Sequence, residues 1–187
     1  SSPNTPGLRN LQAGEALEIL LDRIFVRVKE NTAASGKTVP VFLKIAPDLE
    51  PGEMDEIADV VKHSSLSGLI VSNTTVDRDM LTYKRHAGET GGLSGKPLFE
   101  KSTRVLAQMY KRLGKKLPLI GVGGISDTAS AIDKIEAGAS LLQLYTCMVY
   151  SGPNLPSQIV KGLSRHMDEA DISSISELVG TRHKDWL

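Results

Sequence analysis

Polar and glycine residues follow four apolar runs of the sequence, and chemistry would be expected in these short segments. The segments are KIAPD at 44–48, SNTT at 72–75, GVGG at 121–124 and YT at 145–146. In parallel α/β folds, the residues that follow the strands gather at one end of the sheet, where ligands bind. The sequence therefore indicates one site built from segments that are far apart in the chain.

Lys44 carries a charge inside one of these apolar runs. A buried ammonium is costly unless it meets an anion or an electron-rich ligand. Two interpretations remain open from the residues alone. Lys44 either contacts a ligand or forms a structural salt bridge with Asp48 at the end of its own strand.

The other segments are neutral and suit hydrogen bonding to a ligand. SNTT offers amides and hydroxyls that fit a small polar heterocycle, or it is an ordinary Asn/Thr turn. GVGG precedes a helix start at Ser126 and Asp127, so its backbone N–H groups could cradle a phosphate at a helix N-terminus, although such a turn needs no ligand. The long connection at 76–97 contains GETGGLSGKP, and loops of this length are often functional.

Several other function classes are poorly supported. Lys+Arg and Asp+Glu both number 22, which gives no basic face for nucleic acid. The histidines, which we expect at the surface, lack metal-ligand spacing, and no G-x-S-x-G motif supports a serine hydrolase. Cys147 is expected to be a small buried hydrophobe. No apolar stretch of this segment is long enough to span a membrane. Trp186 near the end is either a docking point or a packed terminus.

The apolar runs at 39–47, 66–75, 116–124 and 140–147 are typical of strands buried on both faces. Helical periodicity lies between them, and it predicts the order α-β-α-β-α-β-α-β-α. The helix that starts at Ser126 and Asp127 carries Ile132 and Ile135. The apolar faces of the three helices before it are Leu17, Leu20, Leu21, Ile24, Phe25 and Val28, then Met54, Ile57, Ala58 and Val61, then Val105, Leu106, Met109, Tyr110 and Leu113. After Ser151 we expect a surface helix around Ile159 to Met167 and a short helix from about Ser173. This alternation favours an α/β fold with parallel strands, either a doubly wound sheet or part of a (β/α)8 barrel.

Several long motifs together closely resemble the dihydroorotate dehydrogenases in that family's order and spacing. They are SSPNTPGLR at 1–9, FLKIAPDL at 42–49, LIVSNTT at 69–75, ETGGLSGKPL at 89–98, GVGGI at 121–125 and GASLLQLYT at 138–146. The resemblance implies a (β/α)8 TIM-type barrel over FMN, with residues 1–187 as the C-terminal part of that single domain and about the last four β/α units. It also implies oxidation of dihydroorotate to orotate in pyrimidine biosynthesis.

The resemblance also implies a role for individual residues. Ser2 matches the serine base of the quinone-linked class 2 enzymes, where class 1 enzymes carry cysteine, and Thr5 could help its proton leave. Asn4, Asn73 and Thr74 match residues that hold the orotate ring. Lys44 matches a lysine at the flavin N1/O2 edge, and Ser72 and Asn73 match flavin-side contacts, although the family often has Thr where Ser72 stands. The phosphate and ribityl contacts of FMN would be Ser94, Gly95, Gly123, Gly124, Tyr145 and Thr146.

The resemblance begins at the loop after the family's fourth strand, so we expect the missing N-terminal half of the same enzyme as a partner and little FMN binding or turnover by this part alone. Electrons would pass to a quinone, with peripheral association through a segment outside this sequence. The family allows a bacterial cytoplasmic membrane, which we favour, or a mitochondrial inner membrane. The alternative function is a non-catalytic half-barrel that binds a phosphate group or a partner chain through its open edges.

Overall fold

The computed structural model describes residues 1–5, 7–12, 14–83, 85 and 87–187. His86 lies outside this set. Helices and strands alternate along the chain as α1 Gly14–Ser35, β1 Phe42–Ile45, α2 Pro51–His63, β2 Gly68–Val71, α3 Phe99–Leu113, β3 Leu119–Val122, α4 Thr128–Glu136, β4 Leu141–Gln143, α5 Thr146–Ser151 and α6 Leu155–Glu169. Short 3-10 turns lie at Leu8–Gln12, Lys96–Leu98, Gly114–Lys116, Ile175–Glu177 and His183–Trp186. The predicted alternation is confirmed, with α5 as an addition.

The four strands form one parallel sheet in the order β1-β2-β3-β4. Each strand lies beside the next one in the chain, so the sheet lacks the reversal of order that a doubly wound fold requires. Because crossovers between parallel strands are almost always right-handed, strands that follow one another in order have their connecting helices on one face of the sheet. The architecture is therefore four consecutive β/α units of a barrel.

The burial of the strands differs between the centre and the edges of the sheet. Leu69 and Leu119 in the inner strands are completely buried. By contrast, Phe42 on β1 is 41% exposed and Leu141 on β4 is 58% exposed. The prediction of strands buried on both faces is therefore correct for β2 and β3 and wrong for β1 and β4, because in this chain each outer strand has a neighbour on one side only.

The main core lies between the sheet and the layer formed by α1, α2 and α3. The predicted apolar faces of α2 and α3 are confirmed, with Ile57, Ala58, Leu106 and Met109 at 0–1% exposure. In α1 only Leu17 and Leu21 of the predicted face are buried. Helix α6 was expected at the surface but is partly buried, because its Ile159 packs in a second apolar cluster beside α4.

Helix boundaries and the C-terminal segment follow local signals. Asp127 caps α4 by accepting a hydrogen bond from the Ser130 N–H at 2.8 Å, as its position predicts. The C-terminal segment folds back onto α3, where the Trp186 ring meets the Phe99 ring edge to face at 5.9 Å and Tyr110 donates to the Val179 carbonyl. Trp186 is therefore a packed terminus in this chain.

Candidate functional site

A cavity of about 260 Å³ opens at the carboxyl ends of the four strands. It collects all the residues that the resemblance assigns to the cofactor: Lys44, Ser72, Asn73, Ser94, Gly95, Gly123, Gly124, Tyr145 and Thr146. Thr74 also lines it, as do Leu98, Val122, Ile125, Gln143, Leu144 and Cys147. Segments separated by up to about a hundred residues thus meet at one place, as parallel strands require.

Lys44 reaches this cavity from the middle of β1. Its Nζ forms no salt bridge or hydrogen bond with any residue that the structure describes. Asp48, the alternative partner, binds other cations. The structural salt bridge between Lys44 and Asp48 is therefore absent, and Lys44 presents a positive charge that a ligand could use.

Asp48 joins three loops at the edge of the site. Its carboxylate binds Arg9 at 2.9 Å and Lys101 at 2.7 Å, and it accepts hydrogen bonds from the Thr75 hydroxyl and the Val76 N–H. Burial alone would raise the pKa of Asp48, but the hydrogen bonds from Lys101, Thr75, Val76 and Arg9 outweigh it and lower the pKa. The carboxylate therefore stays ionised and holds the loops together.

The segment after β2 combines a turn with free hydrogen-bonding capacity. The Asn73 side-chain oxygen accepts from the Thr74 N–H at 2.8 Å, which is a local turn, while its amide donates to Ser1 Oγ at 3.0 Å. The buried Ser72 hydroxyl donates to the Asn73 carbonyl at 3.0 Å. The turn interpretation of SNTT is therefore confirmed, while hydrogen bonding of Asn73 and Thr74 to a ligand in the cavity that they line stays a prediction.

Ser2 and Asn4 lie beside the cavity and outside its lining. Ser2 Oγ accepts one hydrogen bond, from the Asn4 N–H at 3.2 Å. No hydrogen bond joins Ser2 to Thr5, or to an acidic or histidine side chain, within the described ranges. The neighbouring Ser1 is tied to Asn73, and the Asn4 side-chain oxygen lies against Gly91, where an added Cβ would be 3.3 Å away. The first loop, residues 1–5, therefore lies next to the segment after β2 and next to the long connection.

Residues 123–125, which we call the glycine turn, follow β3 and line the cavity. Gly123 and Gly124 have φ values of +114° and +76°, and a Cβ on Gly124 would lie 2.5 Å from the Phe99 Cβ. Only glycine fits there. The backbone N–H groups of Gly124 and Ile125 find no acceptor among the described residues, and so could bind an anion. Asp127 caps the N-terminus of α4 by accepting from the Ser130 N–H, and the phosphate site at GVGG stays a prediction.

The long connection at 76–97 packs beside the same site. Thr75 and Leu93 exchange backbone hydrogen bonds, and Arg78 donates to the Gly91 carbonyl at 2.6 Å. Ser94 accepts a hydrogen bond from the Thr146 hydroxyl at 2.8 Å, and this bond joins the long loop at 76–97 to the start of α5. Tyr145 contributes mainly backbone, because its side chain is 79% exposed.

The sequence analysis missed two groups around the site. Arg9, Lys101 and Asp77 complete the Asp48 cluster, and they could not be recognised because they are scattered through the chain. Lys134 of α4 is completely buried behind the glycine turn. Its position between Ala131 and Ile135 on the inward face of α4 is a signal that could have identified it.

The remaining candidates are the histidines and Cys147, and of these Cys147 lines the cavity. His63 is exposed, and His183 packs its ring against Tyr110 at 5.2 Å between centroids. Cys147 is buried, as expected, and burial raises the pKa of its thiol. Within the described ranges, no three His, Cys, Asp or Glu residues are grouped so as to hold a metal ion. The described helices include none with the length and apolar character needed to cross a membrane.

Comparison with known proteins gives consistent results. Residues 1–167 match the family model described as dihydroorotate dehydrogenase. The proteins named dihydroorotate dehydrogenase (quinone) from Allorhizobium ampelinum and Rhizobium leguminosarum bv. trifolii are each 59% identical over 186 residues. A crystal structure titled DHODH in complex with ferulenol, from Eimeria tenella, superposes with a TM-score of 0.90 at 35% identity over 98% of this chain.

The two bacterial relatives match the whole of this chain, but the chain matches only part of them. The chain spans 51% of the length of the two bacterial relatives and 52% of the Eimeria tenella chain. The four β/α units described above thus correspond to about half of each matched protein.

Proposed function

The chain belongs to the dihydroorotate dehydrogenase family, and from that premise we propose that it is the C-terminal part of an enzyme that oxidises (S)-dihydroorotate to orotate with FMN and passes the electrons to a membrane quinone. This reaction belongs to pyrimidine biosynthesis. Residues 1–187 form one part of a single FMN-binding (β/α)8 barrel domain. The rest of the barrel, supplied by the N-terminal half of the same enzyme, pairs with the exposed edges of β1 and β4.

The observation that carries this proposal is Lys44, a charged side chain that lines the cavity and has no ion-pair partner in the described part of the chain. A flavin gains negative charge at its N1/O2 edge on reduction, and a fixed cation stabilises that charge. FMN, when bound, supplies the hydride acceptor of the reaction. Lys44 is the described residue best placed to tune it.

The rest of the cavity fits the other parts of FMN. The unpaired N–H groups of the glycine turn suit a phosphate, and Ser94, Gly95, Tyr145 and Thr146, which line the same cavity, would be further phosphate and ribityl contacts. Ser72 and Asn73 would contact the flavin ring. The absence of a side chain at Gly123 and Gly124 leaves room for a ligand to approach the backbone.

The substrate would lie between the cavity and the first loop. Asn4, Asn73 and Thr74 offer neutral donors and acceptors that suit the amide edges of the orotate ring. Ser2 would remove the proton from C5 of dihydroorotate. A serine hydroxyl is a very weak base, so its deprotonation depends on desolvation and on a path for the proton. The described part of the chain contains no hydrogen bond that would carry the proton away from the Ser2 hydroxyl.

We place the complete enzyme at the bacterial cytoplasmic membrane, held peripherally by a segment outside this chain. The bacterial origin of the relatives named above supports a bacterial host.

The experiment uses the complete enzyme that contains this chain. The purified protein should be yellow, and anaerobic addition of dihydroorotate should bleach the flavin absorbance, which a quinone analogue should then restore. A colourless protein, or a flavin that dihydroorotate does not reduce, would overturn the proposal. The result would then favour the second candidate, a non-catalytic half-barrel that uses its open strand edges to bind a partner.

A further inference from the structure

Lys134 is a fully buried lysine for which the proposed reaction gives no role. It lies on α4 and none of its surface is exposed. It forms no salt bridge within the described part of the chain, and burial lowers the pKa of its ammonium well below the ordinary value. A buried cation without a counter-charge is uncommon in a purely structural position, and such groups are concentrated near functional sites.

The contacts of Lys134 lead directly to the glycine turn. Its Nζ donates to the Ser102 hydroxyl at 2.6 Å and lies 5.2 Å from the centroid of the Phe99 ring. Ser102 is itself fully buried on α3, and its hydroxyl lies 3.2 Å from the Gly123 carbonyl oxygen and 3.1 Å from that of Phe99. A hydroxyl carries one proton, so Ser102 donates to one of these two carbonyls at a time, and its bond to Gly123 completes a chain of hydrogen bonds from Lys134 Nζ to the backbone of the glycine turn.

The geometry of the peptide bond between Gly123 and Gly124 extends this series of hydrogen bonds to the cavity. In a trans peptide the C=O and N–H bonds point in opposite directions. Because Ser102 holds the Gly123 carbonyl toward α3, the Gly124 N–H points away from α3. That N–H has no acceptor among the described residues, and Gly124 lines the cavity.

Two physical effects follow from this arrangement. Ser102 fixes the plane of the peptide between two glycines, which would otherwise have wide conformational freedom. Hydrogen bonds in series also polarise one another, so the Lys134 donor at one end strengthens the N–H donor at the other. Both effects favour an anion beside Gly124.

We propose that Lys134 is a positioning residue for the phosphate of FMN, acting through Ser102 on the peptide between Gly123 and Gly124. This inference rests on the function proposed above and extends it to a residue that does not line the cavity. It predicts that Lys134 contributes to binding of the phosphate group and not to binding of the flavin ring.

The test compares FMN with riboflavin, which has the same ring and lacks the phosphate. The complete enzyme is stripped of flavin, and the affinity for each ligand is measured by fluorescence titration for the unmodified protein, Lys134→Met and Ser102→Ala. We expect both substitutions to weaken FMN roughly 3- to 10-fold, the range of one lost hydrogen bond, with the riboflavin affinity unchanged. The preference for FMN over riboflavin therefore falls.

Thr103→Val is the matched control for Ser102→Ala. Thr103 is the next residue of α3, is equally buried, and donates to the Phe99 carbonyl without contacting the glycine turn. Lys161→Met, at an exposed position of α6, controls for loss of a positive charge. Both controls should keep the preference for FMN. Thermal unfolding of every variant shows whether it is folded, and Ser102→Ala decides the question if Lys134→Met does not fold.

The outcomes separate this inference from the proposed function. An unmodified protein that binds FMN no better than riboflavin would overturn both the phosphate site and the role of Lys134. An unmodified protein that prefers FMN, together with variants that keep this preference or weaken both ligands equally, would overturn the role of Lys134 alone.

Discussion

The Arg9 guanidinium binds the Asp48 carboxylate at 2.9 Å and donates a second hydrogen bond to the Thr74 carbonyl at 3.1 Å. One side chain thus ties the loop that carries Ser2 to the end of β1 and to the segment after β2. Lys101, which also binds Asp77 at 3.0 Å, extends this connection to the long loop. The proposed base and substrate contacts therefore depend on an ion cluster that lies outside the cavity.

Asp48→Asn should destabilise the complete enzyme, because Arg9 and Lys101 would lose a shared, mostly buried counter-charge. We expect a loss of about 1–3 kcal/mol in unfolding free energy at pH 7, measured by denaturant titration. Asp59→Asn is the control, since Asp59 pairs with Lys62 on the surface and is 71% exposed. Equal effects of the two substitutions would contradict the assigned importance of the cluster.

The same carboxylate should also give stability a dependence on acid pH. The pKa of Asp48 is lowered in the folded state from its ordinary value of 3.8. Its contribution is therefore fully present above that value and is lost as the pH falls below it through the folded-state pKa. Between about pH 5 and pH 2, unfolding free energy should fall less steeply in Asp48→Asn than in the unmodified protein. Parallel curves for the two proteins would be inconsistent with this assignment.

Gly124→Ala should disrupt the glycine turn. The new Cβ would lie within 2.8 Å of three Phe99 atoms and would also be strained by the positive φ. Gly114→Ala is a matched control, because Gly114 has a φ of +61° with no atom near the added Cβ. This substitution should lower the free energy of unfolding by about 1 kcal/mol. We expect a larger loss of thermal stability and of bound flavin for Gly124→Ala. Similar behaviour of both variants would show that the close approach to Phe99 has no consequence.

Lys44→Met should slow flavin reduction by dihydroorotate, since it removes the cation assigned to the flavin edge. We expect a decrease of roughly 100-fold in anaerobic stopped-flow measurements, together with a lower flavin reduction potential. Lys115→Met, which removes a lysine from an exposed turn, should change neither quantity. A Lys44→Met enzyme with an unchanged potential would exclude this role.

Ser2→Ala should abolish flavin reduction while leaving the flavin bound, because the serine acts on the substrate proton and is not among the residues that line the cavity. Absorbance spectra measure the bound flavin, and anaerobic addition of dihydroorotate measures its reduction. Ser65→Ala, at an exposed position before β2, is the control. Unchanged turnover in Ser2→Ala would rule out Ser2 as the base.

The sequence predicted the sheet well because buried parallel strands produce continuous apolar runs, and each observed strand lies inside its predicted run. The outer strands differ from the inner ones by one polar residue each, Lys44 in β1 and Gln143 in β4, and this signal was too weak to predict the exposed faces of β1 and β4. The resemblance brought together the cavity-lining residues from Lys44 to Thr146. Charge pairing was different, because the partners of Asp48 lie at positions 9, 75 and 101 and only the fold brings them together.

The buried face of α4 was also only partly predictable from the sequence. Ile132 and Ile135 were expected to define this face, whereas Ala131, Lys134 and Ile135 are the buried residues. A lysine in a buried helical position contradicts the general rule that charges face water. Such exceptions depend on a partner, here Ser102, whose position the local sequence does not contain.

The most direct test of the account is a crystal structure of the complete enzyme with FMN and orotate. The account predicts phosphate oxygens about 3 Å from the Gly124 N–H nitrogen, Lys44 Nζ beside the N1/O2 edge of the flavin, and orotate between Asn73 and Ser2. A phosphate bound elsewhere, or a Lys44 side chain that turns away from the flavin to a carboxylate, would contradict it.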